Sequence, residues 1–409
     1  MNILFLSTSD SSGGAAIACL RLVESLHARN VDAKVLVLEK NRKENWIQEV
    51  EAGPEKWKSF KKHLVYFAQH RFITATGYQY TGFAFGTPNI WDHPWVREAD
   101  VICMHWINHG FLGENAIEKL FGLGKPIIWH MHDFWAFTGG CHYPGNCREF
   151  QNSCNQCVAL NRPFKNRASE QLNRRLKSFQ KNRPVLVGAS NWLANQARSS
   201  ALGYYATVEH IPNPLDPYFE PGNKLEARKK LNLSPDKKYI LFAAMNVADI
   251  RKGFHYLKGA LIELEQENIA CIIAGKVKSE EFQGLKIEIK TLGASNKERM
   301  REAYRAADVF VIPSLEENLP NTVLESLACG TPVAGFEIGG IPEMVKNGLN
   351  GQLASSIESK ELAKAILETL KISGQPQAVE QCAGSLGAFA PSEVASKYFQ
   401  LIASRINKA

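Results

Sequence analysis

The sequence predicts an α/β protein with two domains, and three observations support this prediction. The chain has 409 residues, 45% of them hydrophobic, which is enough for two domains with full cores. Short apolar, β-branched runs that are typical of buried strands alternate with segments that carry helix signals. The Pro-rich segment 209–221 lies between two such series and predicts the domain boundary.

The first half of the chain is predicted to hold four strands and four helices. The strands are 2–7, 99–106, 125–133 and 184–190, and the helices are 15–28, 56–72, 166–182 and 191–200. The first strand begins at Asn2 without a basic segment before it, so we expect no signal peptide. No run of eighteen apolar residues occurs, so we expect no transmembrane helix.

The second half of the chain repeats the alternation. Its predicted strands are 239–245, 269–275, 307–313 and 332–336, and its predicted helices are 255–266, 322–329, 341–346 and 391–407. Gly330 ends the helix 322–329, because glycine readily adopts the conformation that closes a helix.

Two glycines, Gly13 and Gly14, stand between the first strand and the first helix. A glycine pair at such a turn allows a phosphate or a sugar to approach the backbone closely. The G-x-G-x-x-G spacing of dinucleotide-binding folds is not present, which disfavours hydride transfer. A tight turn without a ligand is the alternative.

Histidines end two of the predicted strands. His105 follows one strand, and His130, His132 and Asp133 end the next. Ligands of open α/β sheets bind beyond the carboxyl ends of the strands, so these side chains are candidate walls of an active site. Strand alternation places His130 and His132 on the same side. The alternative for each histidine is a structural role in the core.

A long irregular segment, 134–165, contains four cysteines. A loop of this length in a compact domain is either functional or disordered. Four thiols within seventeen residues, two of them spaced C-x2-C, predict a structural Zn²⁺ site made by Cys141, Cys147, Cys154 and Cys157. His142 is a possible replacement ligand, and disulfides or unligated thiols are the alternatives. The remaining cysteines are scattered, which favours a reducing, cytoplasmic setting.

The net charge of +7 is concentrated in two segments. Residues 55–72 carry five Lys or Arg and one Glu, and residues 165–183 carry seven and one, so the rest of the chain is negative. The first segment has Trp57 and Phe60 on one face of a predicted amphipathic helix, which favours contact with an anionic membrane surface. Packing of that face on its own domain is the alternative. The basic segments show no nucleic-acid-binding module, so we expect no nucleic-acid partner.

The most informative stretch runs from residue 313 to 351. Glu317 and Glu325 are separated by seven residues across a polar loop and a helix start. They are followed by Cys-Gly-Thr-Pro-Val at 329–333 and Gly-Gly-Ile-Pro-Glu at 339–343. A strand, a polar loop and a helix N-terminus together form a geometry that binds anions. A carboxylate one turn into such a helix can accept hydrogen bonds from vicinal hydroxyls.

This stretch resembles the signature of the group-1 (family 4) retaining glycosyltransferases of the GT-B type. The cysteine-rich loop is similar to that of a bacterial polysaccharide-biosynthesis subgroup. The resemblance implies two facing Rossmann-like domains with parallel sheets. It predicts an acceptor-side domain at 1–211, a nucleotide-sugar-binding domain at 212–388 and a terminal helix, 389–409, that packs on the first domain.

The resemblance also assigns roles to residues that match family positions. Glu325 would bind ribose hydroxyls, Glu317 a sugar hydroxyl, and His132 with Asp133 would lie against the donor sugar. The residues implied to contact the diphosphate or to begin the base-binding loop are Gly13, Gly14, Arg251, Lys252, Gly275, Asn321 and Thr322. The family usually has an arginine where this chain has Asn246, and Arg251 is the expected replacement.

The function implied is transfer of a sugar, with retention, from a UDP- or GDP-linked donor to a hydroxyl of a glycan or lipid-linked saccharide. This reaction would belong to cell-surface polysaccharide biosynthesis, in the cytoplasm or at the inner face of the membrane. No D-x-D string occurs, so catalysis without a metal cofactor is expected. A non-hydrolysing nucleotide-sugar epimerase and a non-catalytic partner subunit of a glycan-assembly complex are the alternatives.

Overall fold

The computed structural model describes residues 1–50, 74–75 and 89–407. These residues form two compact units. The first comprises Met1–Pro214 together with Pro391–Ala409, and the second comprises Leu215–Ala390. The predicted amphipathic helix in 55–72 lies outside the described residues.

The sheet of the first unit has seven described strands, all parallel. Their order across the sheet is β3-β2-β1-β4-β5-β6-β7. Their bounds are β1 Ile3–Ser9, β2 Ala33–Glu39, β3 Ile47–Glu49, β4 Val101–Met104, β5 Ile127–Met131, β6 Val185–Gly188 and β7 Thr207–His210. Because all the strands are parallel, their carboxyl ends share one edge. Strands β1, β4 and β5 are neighbours, so the residues that follow them lie together.

Helices cover both faces of this sheet. They are α1 Gly14–His27, α2 Pro94–Glu98, α3 Glu114–Phe121, α4 Arg167–Lys181, α5 Asn191–Arg198 and, from the end of the chain, α13 Pro391–Ile406. Helix α13 buries Val394, Tyr398 and Ile402 in a cluster that includes Phe5 of β1 and Leu22 of α1. This apolar stripe at helical spacing explains why the end of the chain belongs to the first unit.

The sheet of the second unit has six described strands, also parallel, in the order β10-β9-β8-β11-β12-β13. Their bounds are β8 Lys238–Asn246, β9 Ile269–Lys276, β10 Glu288–Gly293, β11 Val309–Ile312, β12 Val333–Phe336 and β13 Gly351–Ala354. The helices are α6 Lys224–Lys230, α7 Phe254–Glu263, α8 Lys297–Ala306, α9 Asn321–Ala328, α10 Ile341–Met344, α11 Ser359–Ser373 and α12 Ala378–Gly384.

Several elements depart from the sequence predictions. The segment 209–221 was expected to be a linker throughout, but Glu209 and His210 belong to β7, where they extend the edge of the sheet. This strand is mostly polar because it covers an edge, and only buried strands give a continuous apolar run. Strands β2, β3, β10 and β13 were not predicted, and β10 buries only Leu292.

The cysteine-rich segment 134–165 forms no α-helix. It holds the 3-10 helices Phe134–Phe137 and Glu149–Gln151, and a third, Phe164–Asn166, closes it before α4. Among the described residues, no helix is both long and apolar enough to span a bilayer.

Candidate functional site

The carboxyl edge of the first sheet brings together the first glycine turn and the histidines. Gly13 has φ of 88° and precedes α1, which begins at Gly14. Space is open around the position that a Cβ of Gly13 would take, so only the positive φ requires glycine here. Backbone hydrogen bonding continues from this strand to the next, since Thr8 N donates to the carbonyl of Trp106 at 2.8 Å.

Three histidines form a packed cluster beyond β4 and β5. His105 Nδ1 lies 3.0 Å from His132 Nε2, and the rings of His105 and His130 stack with centroids 4.8 Å apart. His130 Nε2 lies 3.2 Å from Asn213 Oδ1. The structure therefore places His130 and His132 close together, with ring centroids 5.1 Å apart. His105, to which sequence reasoning gave little weight, contacts both.

All three imidazoles are held in the neutral form. Burial lowers the pKa of His105 and His130 well below the ordinary value, and the neighbouring histidines lower both further. Burial lowers the pKa of His132 to about 4, although Asp133 opposes this shift. The cluster therefore offers hydrogen bonds and no positive charge near neutral pH.

Asp133 is buried and organises the segment that follows β5. Its carboxylate accepts hydrogen bonds from Trp135 N at 2.8 Å, Trp106 Nε1 at 3.2 Å and His142 Nδ1 at 2.6 Å. Burial alone would raise its pKa, but attraction and hydrogen bonding by His142 and the Trp135 amide lower it. Asp133 therefore remains an anion, and its carboxylate is held by hydrogen bonds within its own unit.

A buried arginine that sequence reasoning missed supports this segment from α4. Arg175 is 0% exposed and forms an ion pair with Glu114 at 2.6 Å. Its guanidinium donates to the carbonyl oxygens of Trp135 and Thr138, and it lies 3.7 Å from the centroid of the Trp135 ring. The basic segment 165–183 thus contributes part of its charge to the interior, and sequence composition could not distinguish this arginine from surface ones.

The four cysteines of the loop are all free thiols. Cys141 and Cys157 are hydrogen-bonded to each other, which lowers the pKa of Cys157 to about 7 and raises that of Cys141. Cys154 is buried, and its φ of 52° is unusual for a residue with a side chain. In the part of the chain that the structure describes, no group of three or more His, Cys, Asp or Glu side chains is arranged to hold a metal ion.

The carboxyl edge of the second sheet brings two predicted site residues into direct contact. Lys252, in the 3-10 helix Ile250–Lys252 after β8, forms an ion pair with Glu317 in the loop after β11. Glu317 is only 7% exposed and also accepts a hydrogen bond from Ser314 Oγ at 3.1 Å. The Lys252 ammonium is about a third exposed, so it remains accessible from solvent while Glu317 fixes its position.

Three glycines at the carboxyl edge of this sheet lie against backbone carbonyls, two of them next to residues of the ion pair or their chain neighbours. Gly253 has φ of 67°, and a Cβ there would overlap the carbonyl oxygen of Pro313. Gly339 has φ of 56°, and a Cβ there would overlap the carbonyl oxygen of Glu317. Gly275, at the end of β9, has φ of 128° and approaches the Ala244 carbonyl in the same way. Glycine is required at these positions because both the conformation and the space exclude a side chain.

The remaining predicted residues surround the same edge. Arg251 forms an ion pair with Asp249 at 2.9 Å. Helix α9 begins at Asn321 and Thr322 after Pro320, whose side chain supplies no cap. Glu325, one turn into α9, accepts a hydrogen bond from the Tyr304 hydroxyl at 3.3 Å. Tyr304 is fully buried on α8 and was not predicted as part of the site.

Part of the chain matches a protein family, and several known proteins are similar to it. Residues 223–383 match the family model described as glycosyl transferases group 1, and this segment contains Lys252, Glu317 and Glu325. A curated relative, an uncharacterised glycosyltransferase of Methanocaldococcus jannaschii, is 32% identical over 136 residues, which are 31% of this chain and 34% of the relative. The matches span about a third of the length of the curated relatives.

Solved structures match the whole chain. Sucrose-phosphate synthase from Thermosynechococcus elongatus aligns over 100% of both chains with a TM-score of 0.69 and 16% identity. The fold is GT-B. HepE of Anabaena, solved in complex with UDP and with UDP-glucose, has a TM-score of 0.64 in the UDP complex, with 16% identity, covering 99% of this chain and 100% of the other. The GT-B fold of two Rossmann-like units with parallel sheets is thereby confirmed.

Proposed function

We propose that this chain is a retaining glycosyltransferase that moves a sugar from a nucleotide-sugar to a hydroxyl of a saccharide. The observation that carries the proposal is the contact between Lys252 and Glu317 at the carboxyl edge of the second sheet. It joins a cation suited to a diphosphate with a carboxylate suited to sugar hydroxyls, and both belong to the segment that matches the family model.

The leaving group in this reaction is a nucleoside diphosphate, on which negative charge develops. Lys252 and Arg251 supply positive charge at one edge of the sheet, and the backbone amides of Asn321 and Thr322 open helix α9. Preorganised donors and cations of this kind stabilise developing charge without reorganisation, which is usually the largest catalytic contribution. Stabilisation of the leaving group in this way would require no metal cofactor.

Other residues would orient the substrate. Glu325 would accept hydrogen bonds from the ribose hydroxyls, with Tyr304 holding its carboxylate, and Gly275 would border the base. In the first unit, Gly13 and Gly14 would allow close approach of the diphosphate. His132 would lie against the donor sugar, supported by the segment that Asp133 organises.

The donor class is supported by the HepE complexes, since that protein binds UDP and UDP-glucose. We favour a UDP-linked donor over a GDP-linked one on this ground. We further propose a glycan or lipid-linked saccharide acceptor in cell-surface polysaccharide biosynthesis, with the leaving phosphate as the base for the acceptor hydroxyl.

A thermal-shift panel with UDP, GDP, ADP and NAD tests the donor site. Ligand at a hundred times its Kd should stabilise the fold by about 2.7 kcal/mol. We expect a rise in melting temperature with UDP that is lost in Glu325→Ala and kept in Glu380→Ala, an exposed carboxylate on α12. A shift with NAD alone would contradict the proposal, and no shift with any nucleotide would favour a non-catalytic partner subunit.

A transfer assay then tests the chemistry. Incubation of nucleotide-sugars with an array of saccharide acceptors should give product whose anomeric proton, followed by NMR, has the configuration of the donor. Conversion of the donor sugar without any acceptor would favour the epimerase instead. Inversion of the anomeric configuration would contradict the retaining mechanism.

We also propose that the cysteine-rich loop holds a structural zinc ion. The Cys141–Cys157 hydrogen bond already joins two of the four thiols, and Cys154 lies in an uncommon backbone conformation between them in sequence. A four-thiol site requires Cys147 and Cys154 to approach this pair. Elemental analysis of the purified chain should give one zinc per chain, reduced in Cys157→Ser but not in Cys103→Ser. An unchanged metal content in Cys157→Ser would contradict the proposal.

A membrane contact by residues 55–72 is a further proposal, based on their sequence alone. Replacement of Lys58, Lys61 and Lys62 by Glu should reduce cosedimentation with vesicles that contain anionic phospholipid, because each cation near such a surface contributes about 1 kcal/mol. Equal cosedimentation of the wild type with neutral and anionic vesicles would contradict the proposal.

A further inference from the structure

The side chain of His105 is fully packed. Within the described residues, one of its two ring nitrogens has a polar contact and the other, which is also buried, has none. It follows β4, is 3% exposed, and its ring packs against Phe5 and His130 with centroids 5.6 and 4.8 Å away. Its Nδ1 lies 3.0 Å from Nε2 of His132. Its Nε2 is buried, and none of the described residues forms a hydrogen bond with it.

The position of the proton on His105 follows from this geometry. A neutral imidazole carries one N–H. If the proton were on Nε2, a buried donor would be left unpaired while Nδ1 accepted a hydrogen bond from His132. If it is on Nδ1, it donates to His132 Nε2 and leaves only a bare lone pair at Nε2. Unpaired buried donors are rarer in proteins than incompletely satisfied acceptors, so the second arrangement is favoured.

The same reasoning assigns the proton of the neighbouring histidine, His130. His130 Nε2 lies 3.2 Å from Asn213 Oδ1, and its buried Nδ1 has no hydrogen-bond partner in the part of the chain that the structure describes. A proton on Nε2 lets His130 donate to that amide oxygen, and again a lone pair is the only unsatisfied group. In both stacked imidazoles the N–H group therefore donates to a polar partner. The other ring nitrogen of each carries only a lone pair.

This arrangement determines the state of His132. We propose that His105 is a positioning residue that fixes His132 as the Nδ1–H tautomer, with its Nε2 occupied as an acceptor. In the reaction under Proposed function, on which this role rests, His132 can then act only as a hydrogen-bond donor through Nδ1–H and does not accept a proton. Burial also keeps His132 uncharged, which agrees with a donor that stays neutral through the reaction.

The tautomer can be read directly by NMR on the full chain labelled with ¹⁵N-histidine. Two-bond ¹H–¹⁵N correlations distinguish the Nδ1–H and Nε2–H forms, and His132→Gln assigns the signal. We expect His132 as the Nδ1–H form in the wild type without any substrate. The Nε2–H form in the wild type would overturn the proposal, whether or not the chain transfers sugars.

Two matched variants separate positioning from packing. In His105→Asn, the amide nitrogen lies near the position of Nδ1 and can still donate, whereas in His105→Gln it reaches toward the position of Nε2. We expect His105→Asn to keep the His132 tautomer and nearly full kcat. We expect His105→Gln to lose the single tautomer and to lower kcat about ten- to hundredfold, as for other partners that orient a histidine, with little change in KM.

The outcomes are distinguishable. Equal kcat in the two folded variants would overturn the positioning role. If both variants fail to fold, the wild-type tautomer alone decides. Absence of transfer by the wild type with every nucleotide-sugar would refute the proposed function and leave the tautomer measurement intact.

Discussion

The carboxyl edges of the two sheets carry opposite kinds of polar group. At the edge of the first unit, the rings of His105, His130 and His132 pack together and are neutral, because burial lowers the pKa of each. At the edge of the second unit, Lys252 is ion-paired with Glu317 and remains partly exposed. The Lys252 cation can offset negative charge, whereas the three neutral histidines cannot. The first edge can supply neutral hydrogen bonds to a substrate, which suits a sugar better than an anion.

We call the edge with the three neutral histidines the neutral edge. The segment that follows it after β5 is held by the buried cation of Arg175, and substitutions of two adjacent arginines test how much stability that cation contributes. Arg175→Met removes an ion pair in which the arginine side chain is 0% exposed, and it leaves two backbone carbonyls after β5 without this donor. We therefore expect the free energy of unfolding to fall by about 3–5 kcal/mol. Arg174→Met removes the exposed ion pair with Glu118 and should cost less than about 1 kcal/mol.

Tryptophan fluorescence measures this loss in the first unit alone. All eight tryptophans lie between residues 46 and 192, within that unit. Urea unfolding followed at this signal should show a lower midpoint for Arg175→Met than for Arg174→Met. Similar midpoints would mean that the segment after β5 does not depend on Arg175.

Acid should weaken the neutral edge selectively. The unfolded chain protonates its histidines near pH 6.5, whereas His132 in the folded chain does so only near pH 4. The unfolded state therefore binds more protons between these values, and stability falls as pH drops through this window. Between pH 7 and pH 5 we expect a loss of about 2 kcal/mol for each such histidine.

The same fluorescence signal, recorded in urea from pH 8 to pH 5, checks this expectation. The stability should be nearly constant above pH 7 and should fall below it, and His105→Asn should reduce the slope. A slope that is unchanged in His105→Asn would mean that His105 titrates normally in the folded chain.

We call the edge with Lys252 and Glu317 the charged edge. It depends on close contacts between backbone segments, and substitutions of two glycines test these contacts. Gly253→Ala places a Cβ against the Pro313 carbonyl at φ of 67°, so we expect a loss of about 1–3 kcal/mol. Gly384→Ala, at the end of α12 with open space around it, should be neutral or slightly stabilising. Calorimetry should show a lower melting temperature for the second unit in the first variant only. Equal melting temperatures would show that the loops at Gly253 and Pro313 can move apart without lowering the stability of the second unit.

The charged edge could be predicted from the sequence because its parts are close together in the chain. Glu317, Glu325 and the glycines after them form one stretch of about forty residues, and Lys252 was identified because it matches a family position. The ion pair between Lys252 and Glu317 could not be predicted, since it depends on the order of β8 and β11 in the sheet.

The neutral edge was predicted less completely. Sequence alternation placed His130 and His132 on one side, but the contribution of His105 depends on the pairing of β4 with β5. Arg175 was counted only as one of the basic residues of segment 165–183, because its burial results from packing of α4 and from no local pattern. Polar edge strands such as β7 were missed for a similar reason, since they lack the apolar run that identifies buried strands.

The central claim is that Lys252 at the second edge supplies positive charge to the diphosphate of the donor and that the histidines of the first edge do not. Thermal shift by UDP on wild type, Lys252→Ala and His132→Asn tests it most directly, with Lys360→Ala, an exposed lysine on α11, as the control. The account predicts that the UDP shift is lost in Lys252→Ala and kept in His132→Asn and Lys360→Ala. A shift that survives in Lys252→Ala and disappears in His132→Asn would contradict it.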